Sequence, residues 1–161
     1  MRSIKNTLLT SACLSLFFFY SCQPTEKQPI TKTMNTSNPV IYFEIPVTDL
    51  ERAEKFYTSV FNFSFEKEII DDYEMSLFPF KEKNSGITGA LAKGDVYKPS
   101  KEGVIIYFKT ENIDHTLQQV IKNGGTILYP KKINEKLGFA VAEFEDSEGN
   151  RIALHETIHL K

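Results

Sequence analysis

Three strand-like segments carry polar and aromatic side chains at alternating positions, where they could bind a ligand or transfer a proton. They are Tyr42 and Glu44 in VIYFEIPV, Tyr107 and Lys109 in VIIYFKT, and Arg151 and His155 in NRIALHE. Successive side chains of a strand point to opposite faces, so each pair shares one face. We predict Glu44 and His155 as candidate general bases beside a bound carbonyl or hydroxyl, and the other four as ligand-binding residues.

The same side chains allow two other interpretations. Glu44 and His155 could begin a divalent metal site, although two protein ligands hold such an ion weakly. Glu44 could instead pair with Lys109, Arg151 or His155 in a polar cluster that only stabilises the fold. The residue types leave all three interpretations open.

Two copies of one pattern position these residues. From Pro39 onward, each copy reads as a strand, an amphipathic helix and three further strands. Adding 63 to a residue number carries the first copy onto the second, for example Val47 onto Thr110 and Leu50 onto Ile113. The sequence therefore predicts an α+β fold built from two βαβββ modules.

Turn and capping residues set the limits of the two helices. Thr48 and Glu51 predict a capping box at the start of the first helix, and Gly124-Gly125 predicts the end of the second. The last two strands are separated by a tight turn over residues 147–150.

Strand alternation predicts which side chains pack on the helices. We assign to the helix side the apolar residues of the first, fifth and last strands: Ile41, Phe43, Ile45, Val47, Val104, Ile106, Phe108, Ile152 and Leu154. One helix covers only one face of a module's sheet. Two modules placed edge to edge would form a curved mixed sheet, a cup with the helices outside and a concave face open to a ligand.

This arrangement resembles the vicinal oxygen chelate superfamily, which includes glyoxalase I, extradiol dioxygenases and bleomycin-resistance proteins. The resemblance rests on the repeat and on the segments EIPVTDLERAEKFYTSVF and FEDSEGNRIAL, and it spans residues 39–158. It implies a small-molecule ligand in the cup and a possible homodimer. It identifies the fold more specifically than the activity, because such folds carry several chemistries.

The resemblance also implies where metal ligands would stand, on the first and last strands of each module. Those positions fall on Tyr42, Ile105 and Ala153, and on Thr88, Gly89 or Ala90 in the fourth strand. Aliphatic side chains cannot bind a divalent cation, and phenol and hydroxyl groups are rare ligands for it. We therefore expect no metal and no other cofactor.

The expected function is that of a glyoxalase- or bleomycin-resistance-like protein that binds a small polar organic molecule or transforms it without a metal. Whether the chain is an enzyme stays open. One alternative is a metal-dependent lyase, similar to lactoylglutathione lyase, or a dioxygenase with non-standard ligands. Another is an interaction module whose cup is filled by its own aromatic side chains.

The amino terminus predicts export. Residues 1–21 combine an early positive charge with a short apolar run, which is typical of a signal peptide. The segment resembles a bacterial lipoprotein signal, which implies lipidation of Cys22, a tether over residues 22–38 and a location in the cell envelope outside the cytoplasm. A start at Met34 would instead leave a cytoplasmic domain.

Composition limits the partners. The 161 residues suit one folded domain, and the formal net charge of −2 leaves no basic excess for tracking phosphates. Nucleic acid is not an expected partner. Both cysteines lie within the first 22 residues, so the domain has no thiol for catalysis or metal binding.

Overall fold

The computed structural model describes residues 38–80 and 87–158 and confirms the α+β fold of two βαβββ modules. Module 1 comprises β1 (Tyr42–Val47), α1 (Leu50–Phe61), β2 (Glu66–Ile70), β3 (Tyr73–Leu77) and β4 (Thr88–Lys93). Module 2 comprises β5 (Ile106–Lys109), α2 (Ile113–Lys122), β6 (Thr126–Asn134), β7 (Phe139–Glu145) and β8 (Arg151–Thr157). No helix in these residues is long and apolar enough to cross a membrane.

Each module has its own four-stranded mixed sheet, and the two sheets share one topology. The strand orders are β1-β4-β3-β2 and β5-β8-β7-β6, with the first pair parallel in each sheet and the others antiparallel. Phe43 pairs with Gly89 in module 1, and Ile106 pairs with Ile152 in module 2. Both pairs are related by the predicted offset of 63 residues, which confirms the repeat.

Helix α1 begins with a different cap from the one predicted. Asp49, not Thr48, is the N-cap, and its Oδ1 accepts a hydrogen bond from the backbone N–H of Arg52 at 3.0 Å. The Thr48 hydroxyl instead donates to Glu148 Oε2 at 2.9 Å. The capping-box prediction was wrong because a carboxylate from module 2, far away in sequence, takes the role assigned to Glu51.

Both helices pack on one side of the two sheets and share a single hydrophobic core. The Phe56 ring of α1 lies 6.1 Å from Phe144 in β7, and the Tyr57 ring lies 5.9 Å from Phe108 in β5. Helix α1 therefore contacts module 2 as well as its own sheet. We call the opposite side of each sheet, away from the helices, its cup face.

The predicted alternation holds within the strands but not beyond them. Ile45 and Leu154 are buried in the core as expected. Ile41 and Val104, also assigned to the helix side, are 79% and 92% exposed. Both precede the first hydrogen-bonded residue of their strands, so nothing fixes them against the helices.

The turn between β7 and β8 joins the modules. Asp146 accepts hydrogen bonds from the Tyr57 hydroxyl at 2.8 Å and from the backbone N–H groups of Glu148 and Asn150 at 2.9 Å. The Asn150 side chain donates to the carbonyl of Pro46 in β1 at 2.8 Å. Burial raises the pKa of Asp146 despite these bonds. The predicted tight turn is confirmed, and its buried ends Asp146 and Asn150 form a polar junction between the modules.

Candidate functional site

The cup face of module 1 is covered near Glu44 by an aromatic residue that the sequence did not reveal. Tyr97, in the connection between β4 and β5, donates its hydroxyl to Glu44 Oε2 at 2.9 Å. Its ring packs against a small cluster formed by Met75, Ala90 and Ala92. Burial, reinforced by the bond to Glu44, raises the pKa of Tyr97 to about 12. The hydroxyl therefore stays protonated and remains a donor at neutral pH.

Tyr42 lies at the open end of the same face. Its side chain is 40% exposed, and burial followed by the nearby charge of Glu44 raises its pKa. With Glu66, Leu77 and Thr88 it lines a cavity of about 530 Å³. This position suits a phenol that donates a hydrogen bond to a ligand entering module 1.

On the cup face of module 2, Arg151 is held in place by two contacts. Its Nε donates to Glu143 Oε2 at 2.5 Å, and its guanidinium carbon lies 5.0 Å from the centre of the Tyr129 ring. The hydrogen bond to Glu143 raises the pKa of Arg151. A guanidinium has five N–H donors, so fixing one leaves others directed along the face.

The other predicted residues of module 2 share the cup face with Arg151. Tyr107 is 51% exposed and is the strand partner of Ala153, while Lys109 is the partner of His155. The imidazole of His155 packs on the Phe139 ring at 5.1 Å between centroids. All four module 2 residues assigned from sequence therefore share one cup face.

The structure brings only part of the predicted set together across the modules. Glu44 and Arg151 both line a cavity of about 150 Å³ between β1 and β5. Glu44 is hydrogen-bonded to Tyr97 instead of to Lys109, Arg151 or His155, the partners considered for a structural cluster. Arg151 instead forms its ion pair with Glu143.

Three residues of the site were not assigned a role from sequence. Glu143 was expected on a middle strand, either at the mouth of the cup or exposed to solvent, and the structure places it on the cup face as the strand partner of Ala153. Tyr129 lies next to it on β6, where two register shifts conceal the alternation. Tyr97 carries no periodic signal because it belongs to no strand or helix.

The side chains at the implied metal positions do not fit a divalent ion. Ala90 and Ala153 occupy equivalent positions in the two modules, both fully buried and both without a donor atom. Nowhere in residues 38–80 and 87–158 do three or more His, Cys, Asp or Glu side chains converge as a metal site would require.

Known proteins share this fold and sequence pattern. The profile of the Glyoxalase/Bleomycin resistance protein/Dioxygenase superfamily matches residues 40–154. The chain belongs to this superfamily. A glyoxylase-like domain-containing protein from Didymella fabae is 32% identical over 119 residues, covering 69% of this chain and 88% of that protein.

Solved structures of the superfamily agree in fold. A glyoxalase I mutant from Zea mays superposes with a TM-score of 0.59 at 21% identity, over 73% of this chain. The chain spans 46% of the length of that maize protein. An antibiotic-binding protein from Streptomyces sp. CB03234 gives a TM-score of 0.56 at 19% identity, over 76% of this chain and 98% of that one. At these identities the likeness concerns the fold alone.

Proposed function

We propose that this superfamily member binds a small polar organic molecule on its cup faces, or transforms it without a metal. The observation that carries the proposal is the chemistry around Ala153. Ala153 places a methyl group where the superfamily resemblance implies a metal ligand. Arg151, Tyr107 and His155 lie around Ala153 on the same face and carry hydrogen-bonding groups. The Streptomyces relative, described as an antibiotic-binding protein, supports a binding role for such a scaffold.

The contacts of each side chain indicate its role in binding a ligand. Arg151, fixed by Glu143 and Tyr129, would orient a carbonyl or hydroxyl oxygen without first losing side-chain freedom. Tyr107 and Tyr42 would donate hydrogen bonds, and Lys109 would neutralise charge on the ligand. If the bound molecule reacts, His155 is the candidate base of module 2, and Glu44 that of module 1 once Tyr97 has moved.

A screen of chelator-treated protein tests this proposal. Protein-observed NMR with a library of small polar organic compounds should find binders that shift the signals of Tyr107, Arg151 and His155 without any added metal. Sub-micromolar binding of one Ni²⁺, Zn²⁺ or Fe²⁺ per chain, with ligand binding only after its addition, would contradict the proposal.

We also propose that two chains pair. Helix α1 contacts both sheets on their helix sides, so both cup faces of one chain lie away from the shared core. A second copy could cover each face and enclose a ligand. Sedimentation velocity should give a dimer at micromolar concentration, and a monomer at all concentrations would contradict pairing.

Export and lipidation complete the proposal. Residues 1–21, Cys22 and the rest of the tether lie outside the described residues, and their sequence alone supports export and lipidation. We expect Cys22 to carry lipid in the bacterial envelope, and mass spectrometry of the native protein should show an acylated chain beginning at Cys22. A chain beginning at Met34 would instead establish the cytoplasmic alternative.

A further inference from the structure

The cup face of module 2 carries a row of cationic and imidazole side chains that the proposed function does not yet explain. Lys132, Val141, His155 and Lys109 are consecutive strand partners across β6, β7, β8 and β5. Neighbouring strands lie about 4.8 Å apart, so the two lysine Cα atoms are about 14 Å apart with His155 between them. Flexible lysine side chains can reach inward from both ends of such a row.

Nearby carboxylates are already engaged elsewhere. On the same face, Glu143 binds Arg151, and Glu145 binds Lys101 at 3.0 Å. Among residues 38–80 and 87–158, neither Lys109 nor Lys132 has its ammonium nitrogen within 4.0 Å of a carboxylate oxygen. The two lysine ammonium groups of the row therefore form no ion pair within the described residues, and a ligand anion could pair with them.

An apolar wall adjoins this charge. Phe139 packs on the His155 ring and, together with Val141 and Lys132, lines an open groove of about 520 Å³. Glu135 also lines the groove, on the turn after β6. A ligand with one anionic group directed at His155 and an apolar body against Phe139 would match both halves of this surface.

We propose that this row is the subsite for an organic anion, a carboxylate or phosphate attached to an apolar body. Lys132 and Lys109 would bind the anionic oxygens of the ligand, and Phe139 would pack against its apolar body. The inference rests on the proposed function, because it names the class of ligand that the module 2 cup face would take. Lysine ammonium groups supply charge-assisted donors to such oxygens, and a neutral analogue would forfeit them.

Benzoate and its neutral counterpart, benzyl alcohol, test the inference on the full chain at constant ionic strength. The NMR signals of the His155 ring should shift saturably with benzoate in the millimolar range. Benzyl alcohol should bind at least about tenfold more weakly.

Matched variants locate the effect. Lys132→Ala and Lys109→Ala should each weaken benzoate binding about tenfold, whereas Lys122→Ala at the end of α2 should leave it unchanged.

Equal binding of benzoate and benzyl alcohol would overturn the anion subsite while leaving the proposed function intact. Binding to phosphatidylglycerol vesicles that exceeds binding to neutral phosphatidylcholine vesicles, which control for the lipid expected on Cys22, would overturn it in favour of an anionic membrane surface if benzoate gives no response. If neither of these compounds nor any library compound binds, the proposed function fails as well.

Discussion

The two cup faces share one backbone plan but differ in chemistry at nearly every equivalent position. Both place a buried alanine on the last strand of the module, Ala90 and Ala153. Around it, module 1 has Pro46 and Ala92 where module 2, 63 residues later, has Lys109 and His155. The two modules therefore repeat the backbone fold but not the side chains of the candidate site.

The charged groups on the two faces sharpen this difference. The module 1 face carries the acidic side chains Glu44, Glu66 and Glu68, and Tyr97 closes part of it. The module 2 face is open around Tyr107 and is lined by lysine, arginine and imidazole groups. A partly covered face with acidic side chains and a more open face with unpaired lysines would bind different parts of a ligand, or different ligands.

The largest expected loss of stability comes from a substitution at Gly89, where β4 lies close to β1. In Gly89→Ala, the added Cβ would lie 2.3 Å from the carbonyl oxygen of Phe43, so a strand must shift. We expect a loss of about 3 kcal/mol in the free energy of unfolding, measured by urea denaturation. Ser64→Ala, at an exposed position, should change it by less than about 0.5 kcal/mol. A loss below 1 kcal/mol for Gly89→Ala would mean that the strands adjust, contrary to the geometry.

Smaller losses of stability should distinguish the partly covered face of module 1 from the more open face of module 2. Tyr97→Ala removes a packed ring and a hydrogen bond, and should cost about 2 kcal/mol of stability, whereas Tyr97→Phe should cost about 1. Tyr107→Ala, on the open face, should cost less than about 0.5 kcal/mol. Equal losses at Tyr97 and Tyr107 would show that the two faces do not differ in closure.

The smallest effect concerns the junction that fixes the two modules relative to each other. Burial would raise the pKa of Glu148, but hydrogen bonds from Arg52, Thr48 and Asp49 outweigh it and lower the pKa below its ordinary value of 4.5. A lowered folded-state pKa stabilises the fold above pH 4.5, and this stabilisation is lost as the pH falls through the folded value.

Glu148→Gln should therefore lose less stability than the native chain on acidification below pH 4.5, as measured by thermal unfolding across that range. Asp146, whose pKa is raised, stays in both proteins, so its opposite contribution cancels in the difference. Identical acid profiles would show that Glu148 does not contribute to this pH dependence.

Periodicity in the sequence predicted the parts of the fold that follow local rules. Alternation placed Ile45 and Leu154 in the core, and the offset of 63 residues anticipated the matching registers around Gly89 and Ile152. Periodicity was less informative for β6, which continues through Pro130 to Asn134 because it is an edge strand whose register shifts accommodate the proline.

The partners of the site residues were harder to predict. Alternation correctly put Tyr107, Lys109, Arg151 and His155 on one face, because a strand fixes the direction of its side chains. It could not show that Glu44 would bind Tyr97, since that tyrosine lies 53 residues away on an irregular connection. Long-range contacts of loops depend on tertiary packing, which leaves no periodic trace in a sequence.

The most direct test of the central claim is native mass spectrometry of the protein purified from its source, before and after a chelator. The account predicts a small organic adduct that survives chelation, is lost in Arg151→Ala and is retained in Thr88→Ala, the equivalent position of module 1. A stoichiometric divalent ion whose removal by the chelator also releases the adduct would contradict it.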